Sequence, residues 1–202
     1  MRLTNLLVPT IFSLASLVPA QKEIVRGEVR TDFTSTAGSQ FFLHCTGFPI
    51  VSSTVALDAL VDKPMLMTVV NIGSPRYPVL DVRTAVPTIQ VFELSKLRTG
   101  QMATGQVSAS SGSFALVYLE TPAAAGWTPI AGIGVWLLGM APPGMASGFV
   151  GGNGQFQFQF KVPMLDALVG TTIMGQALVV QGDMFFDTMF FSNPDCRTVV
   201  GA

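Results

Sequence analysis

Charge is scarce in this sequence. Of 202 residues only 11% are charged, and 11 basic residues nearly cancel 12 acidic ones, leaving a formal net charge of −1. No basic field exists to neutralise a row of phosphates, which argues against a nucleic-acid partner. Histidine occurs once, at His44, so a metal site built on several imidazoles is excluded and only oxygen-ligand ions stay open. Cysteine occurs twice, at Cys45 and Cys196, with no CxxC pair for redox or zinc chemistry. Tyr and Trp number two each, too few for the aromatic girdles of a membrane barrel. Helical periodicity is hard to find, and after the N-terminal segment no apolar run approaches the roughly 20 residues of a spanning helix.

What is present points to strands. Hydrophobic residues make up 49% of the chain, with 15 Phe, and 20 Gly and 13 Pro punctuate it. Gln155 to Phe160 alternates strictly, Gln on one face and Phe on the other, directly after the turn signal Gly151-Gly152-Asn153-Gly154. Ser113 to Glu120 and Thr171 to Gln181 are apolar on both faces and suit central strands. Further strands are expected at Glu23–Val29, Gln40–Thr46, Thr54–Val61, Met65–Ile72, Thr88–Leu94, Gly132–Leu138, Met184–Phe191 and Arg197–Val200. Asp62-Lys63-Pro64 and Gln181-Gly182-Asp183 read as hairpin turns, and Met164 to Val169 as a single helical turn. The expected fold is all-β, with little or no helix. Its form is an antiparallel β-sandwich, jelly-roll or Ig-like, although the pattern alone does not separate sandwich from barrel.

Met1 to Ala20 has a positive Arg2, an apolar stretch from Leu6 to Val18 and small residues at Val18 and Ala20, the pattern of a signal peptide cleaved after Ala20. The reading is thus of a secreted or extracytoplasmic protein without a membrane span after cleavage. Residues 21–38 are expected as an edge strand or flexible joint, with Thr34 to Ser39 as the joint, and residues 39–202 as one β-sandwich domain. In an oxidising compartment Cys45 and Cys196 are the expected disulfide, with two separately buried thiols as the alternative.

Catalytic groups are thin. His44 adjoins Cys45, but neighbours in a strand point to opposite faces, which disfavours a thiol–imidazole pair. Gly144 to Gly148 misplaces its Ser for a nucleophile elbow, and no histidine follows it. No catalytic residue, cofactor site or metal site is assigned. The best oxygen cluster is Asp183, Asp187, Asn193 and Asp195, read as turn-forming side chains, with a calcium site as the alternative. Trp127, between Gly126 and Thr128-Pro129, and Tyr77, between prolines, are loop aromatics and form the candidate ligand patch, whereas Trp136 reads as core.

Gly154–Pro163 (GQFQFQFKVP), then Leu168 to Thr171, Gln176 to Val180 and Ser192-Asn193 resemble the closing strands of a broad group of exported bacterial all-β proteins of unknown function. The chain departs from that group in its Cys placement and its Met- and Phe-rich segment Met184–Phe191. The resemblance carries no catalytic motif and implies an extracytoplasmic β-sandwich. The expected function is that of a non-enzymatic structural or adhesive component of the cell envelope or extracellular space. Its partner would be a second copy or a cell-surface polymer, met through a sheet edge or loops. The alternative is an extracellular ligand-binding module of carbohydrate type.

Overall fold

A computed structural model describes residues 21–31, 40–121, 126–139, 144–182 and 188–202, with the side chains of 144 and 145 left aside. The expected signal peptide, the joint at Thr34 to Ser39, and Asp183 to Asp187 lie outside the described residues. The chain is all-β, and its described helical turns are short 3-10 segments, Leu57–Leu60 and Asp166–Leu168. The second of these is the helical turn expected within Met164 to Val169.

The first half departs from the expected sandwich. Strands β1 (Lys22–Thr31), β2 (Phe41–Leu43), β3 (Pro49–Val51), β4 (Pro64–Asn71) and β5 (Leu80–Pro87) close into a barrel in the order β1-β2-β3-β5-β4. All pairs are antiparallel except β3 with β5. This is a five-stranded Greek-key order of OB type, a likeness of topology that carries no ligand with it. β1 is paired on both sides, with β2 and β4, so residues 21–31 are not an edge strand. The physical reason is visible in its alternation: Glu23, Val25, Gly27 and Val29 are buried on one face, inside the curled sheet. Short strands with one apolar face each bury it by curling onto themselves, and closure removes the open edges as well.

The barrel interior holds Val25, Val29, Leu43, Ile50, Met65, Met67, Val69, Leu80 and Val82. Its core continues into a ribbon of β9 (Thr128–Ile130) and β10 (Gly134–Trp136), which adds Trp127, Val135 and Leu137. The strand expected at Thr54–Val61 does not form. Ser52 Oγ accepts hydrogen bonds from the backbone N–H groups of Thr54 and Val55, which turns the chain into the 3-10 segment instead. Asp62-Lys63-Pro64 is likewise no hairpin: Val61 bridges Val29, and β4 leaves to pair with β1.

Beyond the barrel and the β9–β10 ribbon, the described residues form two further open sheets. In one, β8 (Phe114–Glu120) and β13 (Thr172–Gln181) are central, flanked by β11 (Gly144–Phe149) on one side and by β14 (Thr188–Phe191) and β15 (Asp195–Thr198) on the other. The double-faced apolar runs were expected to be central, and they are. In the other sheet the order is β12 (Gln155–Lys161), β7 (Met102–Ser108), β6 (Phe92–Leu94). Both sheets feed one apolar core: Phe92, Leu94 and Val107 from one, Val117, Leu119, Ala177 and Val179 from the other.

Alternation in β12 places its three Phe against that core and its Gln on the opposite face. The rings of Phe156, Phe158 and Phe160 stack at 6.0 Å spacing. Phe158 lies opposite Gly105 of β7, and its ring occupies the space a Cβ there would need. Replacing the half-buried Phe158 with Ala is expected to cost about 2–3 kcal/mol in urea unfolding. Gln157→Ala should stay within about 0.5 kcal/mol of the parent, and equal costs would overturn this assignment of faces.

Candidate functional site

Between the two open sheets and at the β9–β10 ribbon, backbone groups are tied by four buried polar side chains from β13 and the segment entering β15. Asn193, 3% exposed, accepts hydrogen bonds at Oδ1 from Val91 N–H (2.7 Å) and Phe92 N–H (3.2 Å), and its Nδ2 donates to Phe92 O (3.0 Å). Asp195 accepts from Leu94 N–H at 2.7 Å, Cys196 N–H at 2.9 Å and Arg197 Nη1 at 2.8 Å. Gln176 accepts from Leu137 N–H at 2.9 Å and donates to the carbonyls of Val135 and Ser192, and Ser192 Oγ accepts from Ala177 N–H. Burial pushes the Asp195 carboxyl above its ordinary range, against the pull of the Leu94 N–H and Arg197. Asn193 Oδ1 and one oxygen of Asp195, from half of the sequence-derived oxygen cluster, thus bind backbone a hundred residues away, while the other Asp195 oxygen stays on its neighbours Cys196 and Arg197.

Cys45 and Cys196 are disulfide-bonded, joining the turn after β2 to β15 and so the barrel to the sheet. His44 and Cys45 lie in that turn rather than in a strand, and Cys45 adopts φ +69°. The strand argument against their cooperation therefore does not apply here. Instead His44 Nε2 sits 3.9 Å from Cys196 Sγ. Among the described residues, His44, Cys45 and Cys196 are the one group of three metal-ligand side chains within 4.8 Å, and both sulfurs are committed to the disulfide.

Burial, then the positive charge of Arg30, lowers the His44 pKa from 6.5. The folded protein therefore binds this proton less readily than the unfolded chain. The contribution to stability is complete above pH 6.5 and is lost as pH falls through the lower folded value. Chemical denaturation between pH 7.5 and 5.5 should show a declining unfolding free energy that His44→Gln flattens. A parallel decline in the variant would assign the effect elsewhere.

The candidate aromatic patch separates. Trp127 is 8% exposed and packs edge-on against Phe48 with centroids 6.3 Å apart, so its ring belongs to the barrel core and not to a surface. Having Gly and Pro as neighbours marks an irregular segment, but says nothing of what covers it. Tyr77 is 71% exposed in the β4–β5 connection, held in a turn with Ser74 and lying under Arg76. Trp136 is partly buried among Tyr118 and Phe191, and its Nε1 donates to Gly139 O.

One accessible feature is a sheet edge. β12 is the outermost strand of its sheet, and among the described residues no strand pairs with its outer side. Its solvent face is a glutamine row: Gln157 Nε2 donates to Gln106 Oε1 at 2.8 Å and to Gln155 Oε1 at 3.3 Å. β11, outermost in the facing sheet, presents Gly148 to the Phe156 ring, so both open edges lie on one side. A second feature was missed. A cleft of about 470 Å³ opens where β1, β4, β14 and the β9–β10 turn converge, and Arg26 lines it. Its only trace in the sequence is a cation inside the alternating β1. No family model, curated protein or solved structure matches this chain.

Proposed function

We propose that this protein is an exported, non-enzymatic all-β module serving as a structural or adhesive component of the cell envelope or extracellular space, and that it associates through the open edge of β12. In this reading the two facing sheets form a small sandwich behind the barrel. The observation that carries it is the seven-residue strand Gln155–Lys161 with one side unpaired, since an uncovered edge is a template for another strand. A two-fold antiparallel pairing centred on Phe158 sets Lys161 opposite Gln155, so no like charges face each other. The disulfide suits an oxidising compartment, and none of the described helices is long and apolar enough to cross a membrane. The carbohydrate-type alternative rests on Tyr77 alone once Trp127 is assigned to the core.

Sedimentation of the protein from Gln21 onward is expected to show a reversible dimer or longer assembly. Gln157→Lys with Gln159→Lys should return it to monomer, and mixing with the Gln157→Glu, Gln159→Glu form should restore pairing. A strict monomer at high concentration, or assembly indifferent to these charges, would sink the proposal.

A further inference from the structure

The cleft between barrel and sheets contains a cation, Arg26, that no carboxylate among the described residues neutralises. Ile24 and Arg26 stand two apart on β1, on the face turned away from the barrel interior, because Val25 and Gly27 point inward. Arg26 lies across the ladder from Leu66 of β4. Opposite them are Phe190 of β14, Ser108 at the end of β7 and Gln181 at the end of β13. The Arg26 guanidinium lies 4.5 Å over the Phe190 ring, and its Nη1 donates to Thr88 Oγ1 at 3.1 Å. Ring and hydroxyl fix the guanidinium plane and use one face and one of its five N–H groups.

No acid joins the lining, and Arg26 has no carboxylate partner among the described residues. Arg30, by contrast, holds two, and Arg83 and Arg197 one each, at 2.7 to 2.8 Å. A half-buried guanidinium without a counter-charge has lost hydration and gained little in return. Burial accordingly lowers its pKa from the ordinary arginine value. The exposed Ile24 and Ile89, 55% and 66%, stand on the same lining and leave apolar surface uncovered at the cleft.

We propose that this cleft binds a monoanionic amphiphile, its carboxylate-like head held by Arg26 and its apolar body lying against Ile24, Leu66, Ile89 and Phe190. One guanidinium balances one negative charge, bidentately, whereas a dianionic phosphate would keep a charge uncompensated against apolar walls. At about 30 Å³ per water-sized group, the volume of about 470 Å³ admits on the order of fifteen non-hydrogen atoms.

The probes are decanoate, 1-decanol and decyl phosphate, titrated calorimetrically at pH 8 into the protein from Gln21 onward. Decanoate should saturate one site, with decanol and decyl phosphate at least about tenfold weaker. Arg26→Gln should weaken decanoate at least about tenfold and leave decanol unchanged. Should Arg26→Gln fail to fold, Ile24→Glu decides. That side chain is exposed, and a carboxylate there supplies Arg26 with an internal partner, so decanoate binding should be lost while the melting temperature holds. Absence of saturable decanoate binding, equal binding of decanol or decyl phosphate, or decanoate affinity unchanged in a folded Arg26→Gln or Ile24→Glu protein would each overturn the proposal.

Discussion

Replacing both Cys45 and Cys196 by Ser is expected to lower the unfolding free energy by about 3–5 kcal/mol, among the largest effects available to a pair of substitutions in this chain. The bond spans 151 positions, and closing so long a loop removes a large share of the unfolded chain's entropy. It also joins two parts of the molecule that otherwise meet through side chains, the barrel turn at 44–46 and β15. Reversible urea unfolding of parent and double variant measures the difference. Reduction of the parent by a dithiol should reproduce it. A loss below about 1 kcal/mol would mean that the unfolded chain is already compact enough to hold these ends together.

A comparable cost is expected at a single residue. Asn193→Ala leaves the Val91 and Phe92 N–H groups and the Phe92 carbonyl without their buried partner. Each buried group stripped of its hydrogen bond costs about 1–3 kcal/mol, so a total near 3–4 kcal/mol is anticipated after partial relaxation. Hydrogen exchange gives an independent reading: the amides of Val91, Phe92 and Leu94 should lose protection ahead of those in β8 and β13. The exposed Asp166→Asn, a polar change at the start of the 3-10 segment Asp166–Leu168, should be neutral within about 0.5 kcal/mol. If Asn193→Ala were as mild as that control, the buried amide would not be what holds β6 in place.

These two sites show where sequence reading reached and where it stopped. The pairing of the cysteines was legible because there are only two and the N-terminal segment reads as an export signal. The asparagine was noticed for the wrong reason. Grouped with Asp183, Asp187 and Asp195 it reads as turn chemistry or an ion site, because proximity in sequence is all a sequence offers. In the fold its partners are Val91 and Phe92, across a separation of 102 and 101 positions. Strands β5 and β7 escaped notice for a related reason. Met102–Ser108 buries Ala103, Gly105 and Val107, side chains too small to announce an apolar face, and Gly105 is completed by the Phe158 ring from the neighbouring strand. Trp127 shows the opposite error, since its local setting resembles a loop tip while the barrel closes over it.

By itself the sequence determined that this chain is built of strands, that helices would be short, that β8, β12 and β13 take their places by alternation or double-faced burial, and that groups for proton transfer are few. Those are consequences of side-chain periodicity and of composition, both local. Only the tertiary structure decided that β1 to β5 close into a barrel rather than half of a sandwich, that β12 is outermost, and that Arg26 faces a cleft with no carboxylate partner among the described residues. Periodicity states that one face of a strand is buried. What buries it, and which charges are left without partners, follows from long-range pairing, where residues distant in the chain compete for the same apolar surface.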